Sequence, residues 1–168
     1  MWKMIGAIWN VRGLNKRGRL QCITDFVNEN KLDFVGFEEI KKESFEDSFL
    51  SYIHRDFAWQ FLPTIGTAGG ILVGFNNKKF DILAHQLKTY AISVMIKNCV
   101  DNFIWRFICV YGSAYEEGKM EFIQELEGML ENWSGPTVLG GDFNLVTNIK
   151  EKIMVLLIRS GLMFSKIG

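Results

Sequence analysis

The stretch "GPTVLGGDFNLV", residues 135–146, decides how this chain folds. Pro136 to Leu139 reads as a short buried strand, Gly140 and Gly141 permit a tight turn, and Asp142 and Asn144 then flank Phe143. Side chains two apart in extended backbone share a side, so the polar pair faces one way while Phe143 faces the core. A strand that ends by presenting a carboxylate and an amide together invites comparison with the other strand ends of the chain.

Those ends can be found by working outward. Residues 116–133 place Met120, Phe122, Ile123, Leu126 and Leu130 at helical spacing, which predicts a long amphipathic helix before the strand. Residues 16–30 do the same with Leu20, Ile23, Phe26 and Val27, and 44–54 reads as a short helix. Strands are predicted over "MIGAIWN" (4–10), "LDFVGFEE" (32–39) and 57–62, and after the glycine turn of "GTAGGILVGFN" (66–76). Three more cover 79–86, 90–97 and 103–111, with "NCVDN" as a hairpin turn. There is no internal repeat and no linker. Many strands with few helices predict one α/β unit, not the strict alternation of a doubly wound parallel sheet.

A chain of 168 residues with 48% apolar composition is the size of one domain with one sizeable core. Nineteen basic and nineteen acidic side chains cancel, so no global cationic field draws in a phosphate backbone. Any nucleic-acid contact must come from a local patch. Lys16, Arg17 and Arg19 form one candidate, and the solvated start of a helix is the alternative reading of the same residues. Cys22, Cys99 and Cys109 fit no zinc spacing, are odd in number and lie in apolar sequence. They read as reduced thiols of an intracellular protein, nuclear or cytoplasmic. The start "MWKMIGAIWN" is too short for a signal peptide, and no apolar run is long enough for a membrane helix.

Four placements share one design, a buried strand ending in an oxygen-bearing side chain. They are Asn10 after "MIGAIW", Glu39 after "LDFVGFE", Tyr111 after "FICV", and Asp142 with Asn144 after "TVLGG". Aligned strands would carry these ends to a common rim. Carboxylate and amide oxygens suit a hard cation such as Mg²⁺ (or Mn²⁺), and no histidine or cysteine pattern suggests zinc. Each residue taken alone is also what a turn or helix cap uses.

Taken in order, "WNVRGLN", "DFVGFEEIKK", "GTAGGILVGFN", "VYGSA" and "GGDFNLV" resemble the endonuclease/exonuclease/phosphatase superfamily. Within it the likeness is to the apurinic-endonuclease-like domain of LINE-type (non-LTR) retrotransposons, and it covers nearly all of the first 150 residues. The resemblance implies a four-layer α/β/β/α sandwich of the DNase I-like type, Mg²⁺-dependent phosphodiester hydrolysis, and DNA as partner. It places Asn10 and Glu39 at the metal and Tyr111 beside the scissile phosphate. Asp142 would orient the attacking water and Asn144 would hydrogen-bond the phosphate, with the two glycines bringing backbone close to substrate. Glu38 and Ile40 depart from the usual Gln-Glu-Thr ending and put an extra negative charge beside Glu39. Ser113 replaces a frequent proline.

The family pattern continues past "GGDFN" into further strands and a Ser-Asp-His motif that this sequence does not supply. His54 and His85 both precede Tyr111 and read as structural or surface residues. The expectation is an incomplete sandwich over residues 1–152 with little or no activity, an open sheet edge, and an atypical apolar tail over 153–168. Read one base late, codons for Asn-Gly-Val-Ile-Asn yield Met-Val-Leu-Leu-Ile, the residues Met154 to Ile158, so a frameshift after Lys152 is one reading. An ordinary core strand over Ile153 to Ile158 is the other. Two alternatives to the nuclease stand beside it: a host phosphodiesterase or phosphatase of the same superfamily, and a non-catalytic relic that binds metal or nucleic acid weakly.

Overall fold

The computed structural model describes residues 3–65 and 69–145 and the backbone of 157–158. Two sheets carry the fold. The first has four strands in the order β1 (Gly6–Asn10), β2 (Phe34–Glu38), β4 (Ile71–Asn76) and β3 (Phe57–Leu62). The second runs β5 (Phe80–Leu87), β6 (Ala91–Asn98), β7 (Ile104–Tyr111), β8 (Thr137–Asp142) and β9 (Leu157–Ile158). Helices α1 (Arg19–Glu29) and α2 (Asp47–Ile53) cover the outer face of the first sheet, and α3 (Glu116–Glu131) covers that of the second. The layers are therefore helix, sheet, sheet, helix, the mixed α/β sandwich expected from the sequence.

The layering follows from residue parity along each strand. In β2, Phe34 faces the second sheet, Val35 and Phe37 face α1 and α2, and Gly36 turns back to meet Cys109 and Phe107. In β7, Trp105, Phe107 and Cys109 point between the sheets while Ile108 and Val110 pack under α3. The inter-sheet core is strongly aromatic: Phe34 lies 5.3 Å from Phe107 and 5.5 Å from Trp105, both edge to face. A side chain at Gly36 would meet the Cys109 sulfur at 2.8 Å, so glycine sets how closely the sheets approach.

Four details depart from the sequence reading. Gly140 and Gly141 do not turn the chain, because β8 continues through them to Asp142 in parallel register with β7, Val110 opposite Gly141 and Tyr111 opposite Asp142. Met120 and Leu130 are exposed, since the face of α3 that meets the sheet is centred on Phe122, Leu126 and Met129. Cys22 and Cys99 are exposed, and only Cys109 is buried. The patch at the start of α1 is divided, with Lys16 and Arg17 in solvent and the Arg19 guanidinium over the Trp9 ring at 5.9 Å.

The hairpin at 98–102 is as predicted, closed by Asn98 N–H to the Phe103 carbonyl with Asn102 left-handed at φ 58°. The backbone of β9 pairs antiparallel with β8, Leu157 opposite Leu139 and Ile158 opposite Val138. The rest of the 153–168 tail, which both readings of that segment concern, lies outside the described residues. Among the described residues no helix is long and apolar enough to cross a membrane.

Candidate active site

Parity also builds the site. Asn10 follows Gly6 and Ile8 on the inter-sheet side of β1, and Glu38 follows Phe34 and Gly36 on the same side of β2. Tyr111 ends the Trp105, Phe107, Cys109 row of β7, and Asp142 ends the Val138, Gly140 row of β8. β1 runs parallel to β2, and β7 parallel to β8, so each pair delivers both C-terminal ends to the same edge. Polar residues thus sit where each apolar inter-sheet row runs out. The rim belongs to both sheets.

All five residues singled out in the sequence meet there. The Asn10 amide donates to Asp142 Oδ2 at 3.5 Å, and it also hydrogen-bonds Glu39. Tyr111 hydrogen-bonds Glu39 as well. Glu39 lies just past β2 with φ 53°, a left-handed residue that turns its carboxylate onto the rim after the strand has ended. Asn144 arrives differently from the alternation read in the sequence. Its own φ is 49°, its backbone N–H donates to Asp142 Oδ1 at 3.2 Å, and its side chain donates to the Gly112 carbonyl at 2.8 Å. An Asx-type turn places it, and Phe143 packs edge-on against Phe122 at 6.1 Å.

Glu38 is the residue whose part the sequence reading missed. It is 2% exposed, and its Oε1 accepts the Asp142 backbone N–H at 2.7 Å, across the gap between the sheets. The carboxylate is thus behind the rim, pinning the end of β8, and is not a second charge beside Glu39. The alternation of "FVGFE" carried the signal: Glu38 has the parity of Phe34. Gly141 makes this strap possible. At φ 141°, a Cβ there would fall 1.9 Å from the Val110 carbonyl oxygen and 2.3 Å from Glu38 Oε1. The glycine admits the protein's own neighbours, not only a substrate.

Carboxylates and the groups that pair with them set the electrostatics of the rim. Burial pushes the Glu39 carboxyl up, but the Lys41 ammonium at 3.0 Å and the hydrogen bonds from Asn10 and Tyr111 outweigh it, and the net shift is down. Burial, then the carboxylates of Glu39, Asp142 and Glu38, pushes the Tyr111 phenol well above the ordinary tyrosine value. It therefore remains a protonated hydrogen-bond donor through the neutral range. Among the described residues no three His, Cys, Asp or Glu side chains cluster as a metal set. The rim offers the carboxylates of Glu39 and Asp142 and the amides of Asn10 and Asn144, which fits Mg²⁺, an ion held by one or two carboxylates with several retained waters. Lys41 and the Asn10 amide N–H supply the positive partners in this arrangement, so coordination by the Asn10 oxygen requires the amide to turn over.

His54 and His85 take no part in the site. His54 Nδ1 accepts the Asp56 N–H at 3.2 Å and the ring lies against Phe57, while His85 is exposed on β5.

The profile of the Endonuclease/Exonuclease/phosphatase family matches residues 7–148, from the first strand to just beyond the rim. The chain belongs to this family. Its members in general depend on a divalent metal. No curated protein sequence matches the chain. Solved structures do. A mannosyl-6-phosphatase of Bacteroides thetaiotaomicron superposes with a TM-score of 0.64 at 18% identity, covering 84% of this chain and 66% of that one. The catalytic domain of human Nocturnin, solved with bound sulfate, gives 0.58 at 15%, covering 82% and 64%. The D. rerio TDP2 complex with a single-strand DNA product gives 0.59 at 12%, covering 83% and 60%. At such identities these family members share the fold, and this chain spans no more than about two thirds of the length of each.

Proposed function

We propose that the rim is a metal-assisted phosphodiester hydrolysis site acting on DNA, of the kind carried by LINE-type retrotransposon endonuclease domains. The convergence of Asn10, Glu39, Tyr111 and Asp142 from two sheets supports this reading most directly. The motifs "WNVRGL" and "GGDFN" at its two ends support the LINE-type assignment.

In this reading Glu39 and Asn10 hold the divalent ion, which when bound neutralises charge on the phosphodiester. Asp142, fixed through its N–H by Glu38, orients the attacking water with its carboxylate. Tyr111 donates from a phenol that stays protonated at neutral pH. Asn144 gives one N–H to Gly112 and keeps its second for a phosphate oxygen. His54 lies in other contacts and His85 is exposed on β5, so in this reading the described site works without an imidazole at the phosphate. Loss of one acid/base group costs about 10²–10⁴ in rate, and slow turnover is expected.

Supercoiled plasmid incubated with the purified protein and Mg²⁺ tests this. Slow nicking that EDTA stops and Asp142→Ala abolishes is the expected result. Nicking that persists undiminished in a folded Asp142→Ala sample would remove the proposed role of the rim.

A further inference from the structure

A second feature adjoins the rim. Ile65, Thr89, Tyr90 and the segment Tyr111–Tyr115 enclose a cleft of about 190 Å³. Three of the chain's four tyrosines line it, Tyr90, Tyr111 and Tyr115, and the residues between the last two are Gly112, Ser113 and Ala114. Small side chains there leave ring surface accessible. Among the described residues that line it there is no lysine, arginine, aspartate or glutamate, so these walls suit a neutral flat group and not a phosphate. Its volume falls below the roughly 300–1,000 Å³ of pockets that hold drug-sized ligands, which leaves room for one ring system.

The walls are fastened in advance. Glu125 accepts the backbone N–H groups of Thr89 and Tyr90 at 3.0 and 2.8 Å, and the Tyr90 ring meets Phe122 edge-on at 5.7 Å. Gly112 donates to the Asp142 carbonyl at 2.8 Å and accepts from Asn144. Ser113 Oγ accepts the Tyr115 N–H at 3.1 Å and donates to the Tyr115 carbonyl at 3.0 Å. Tyr115 itself is 58% exposed, and no hydrogen bond or ring contact of its side chain appears among the described contacts. Tyr111 is common to both features, lining the cleft and hydrogen-bonding Glu39.

We infer that this cleft receives a nucleobase of the strand whose phosphodiester lies at the rim, with Tyr115 as the stacking face. The inference rests on the phosphodiester reading above and adds its substrate class: a strand with a base displaced from its stack, not a fully stacked duplex. Bases stack on aromatic side chains with little regard to sequence. The cleft therefore confers a requirement for a base next to the cut and little preference among bases.

The test uses wild-type protein, Tyr115→Ala and Tyr115→Phe in Mg²⁺, with a short phosphorothioate single-stranded DNA that resists cutting. A parallel set of strands lacks one base, moved position by position. Fluorescence anisotropy reads the affinity, and thermal melting checks that the variants fold. Tyr115→Ala is expected to weaken the intact strand about tenfold, while Tyr115→Phe retains affinity. At one position, removing the base should cost wild type the same factor and cost Tyr115→Ala nothing further. Equal loss on intact and base-free strands, or no loss in Tyr115→Ala, overturns the cleft assignment alone. A wild type that binds no strand overturns both the DNA reading and the cleft. The expected Tyr115 pattern alongside a negative nicking assay would retain the cleft and remove hydrolysis.

Discussion

Glu38 shows how much a single carboxylate can decide. Its Oε1 receives a backbone N–H from the opposite sheet while Glu38 itself is 2% exposed, so its loss takes the acceptor from a partly buried donor. Glu38→Ala is expected to cost about 1–3 kcal/mol and to loosen Asp142. Glu38→Gln keeps an oxygen that can accept the same N–H and is expected to restore most of the loss. Denaturant melts of the two variants check this, and equal destabilisation by both would mean that the charge matters and not the acceptor. Asn10, Tyr111 and Asp142 were legible in the sequence because each closes a recognisable apolar run. Glu38 was not, since two adjacent glutamates look alike until the parity of Phe34 and Gly36 assigns one inside and one outside.

At the scale of elements, most helices and strands could be read from period and turn chemistry, and the misses share a cause. Gly140 and Gly141 look like a turn to local propensity, but the parallel pairing of β8 with β7 extends the strand through them. Asn144 was placed by pleat alternation, whereas a left-handed residue and an Asx-type turn put it near Asp142. The face of α3 could not be phased from composition alone, because Met120 and Leu130 are as apolar as the residues that touch the sheet. The end of α2 carries its own prediction. Burial lowers the His54 pKa, and its neutral Nδ1 accepts the Asp56 N–H, so the folded state favours the uncharged ring. Its contribution is complete above the unfolded value of about 6.5 and is lost as pH falls through the lower folded value. Chemical denaturation across that window should show stability declining on acidification. A His54→Gln variant should show a shallower decline, and an unchanged slope would discount the residue.

At the scale of the molecule, two sheets that meet through Phe34, Phe75, Phe80, Trp105 and Phe107 hold the two halves of the rim in one frame. Phe107 is fully buried at their interface, and Phe107→Ala is expected to cost about 3–5 kcal/mol. Calorimetry should show one cooperative transition moved to lower temperature; two separate transitions would mean that the sheets fold independently. Family membership and fold follow from the match over residues 7–148 and the shared sandwich. The chemistry depends on whether the rim takes a cation. Manganese binding to the purified protein, followed by electron paramagnetic resonance, addresses this directly, with Glu39→Gln beside an exposed control, Asp101→Asn. Hydrogen-bonded partners of metal ligands are themselves worth about 10–100-fold in affinity, so losing a ligand should cost at least tenfold. One saturable site, weakened that far in Glu39→Gln and unchanged in Asp101→Asn, is the expected result. Binding that is equal in all three folded proteins, or absent from the wild type, would contradict a metal site at this rim.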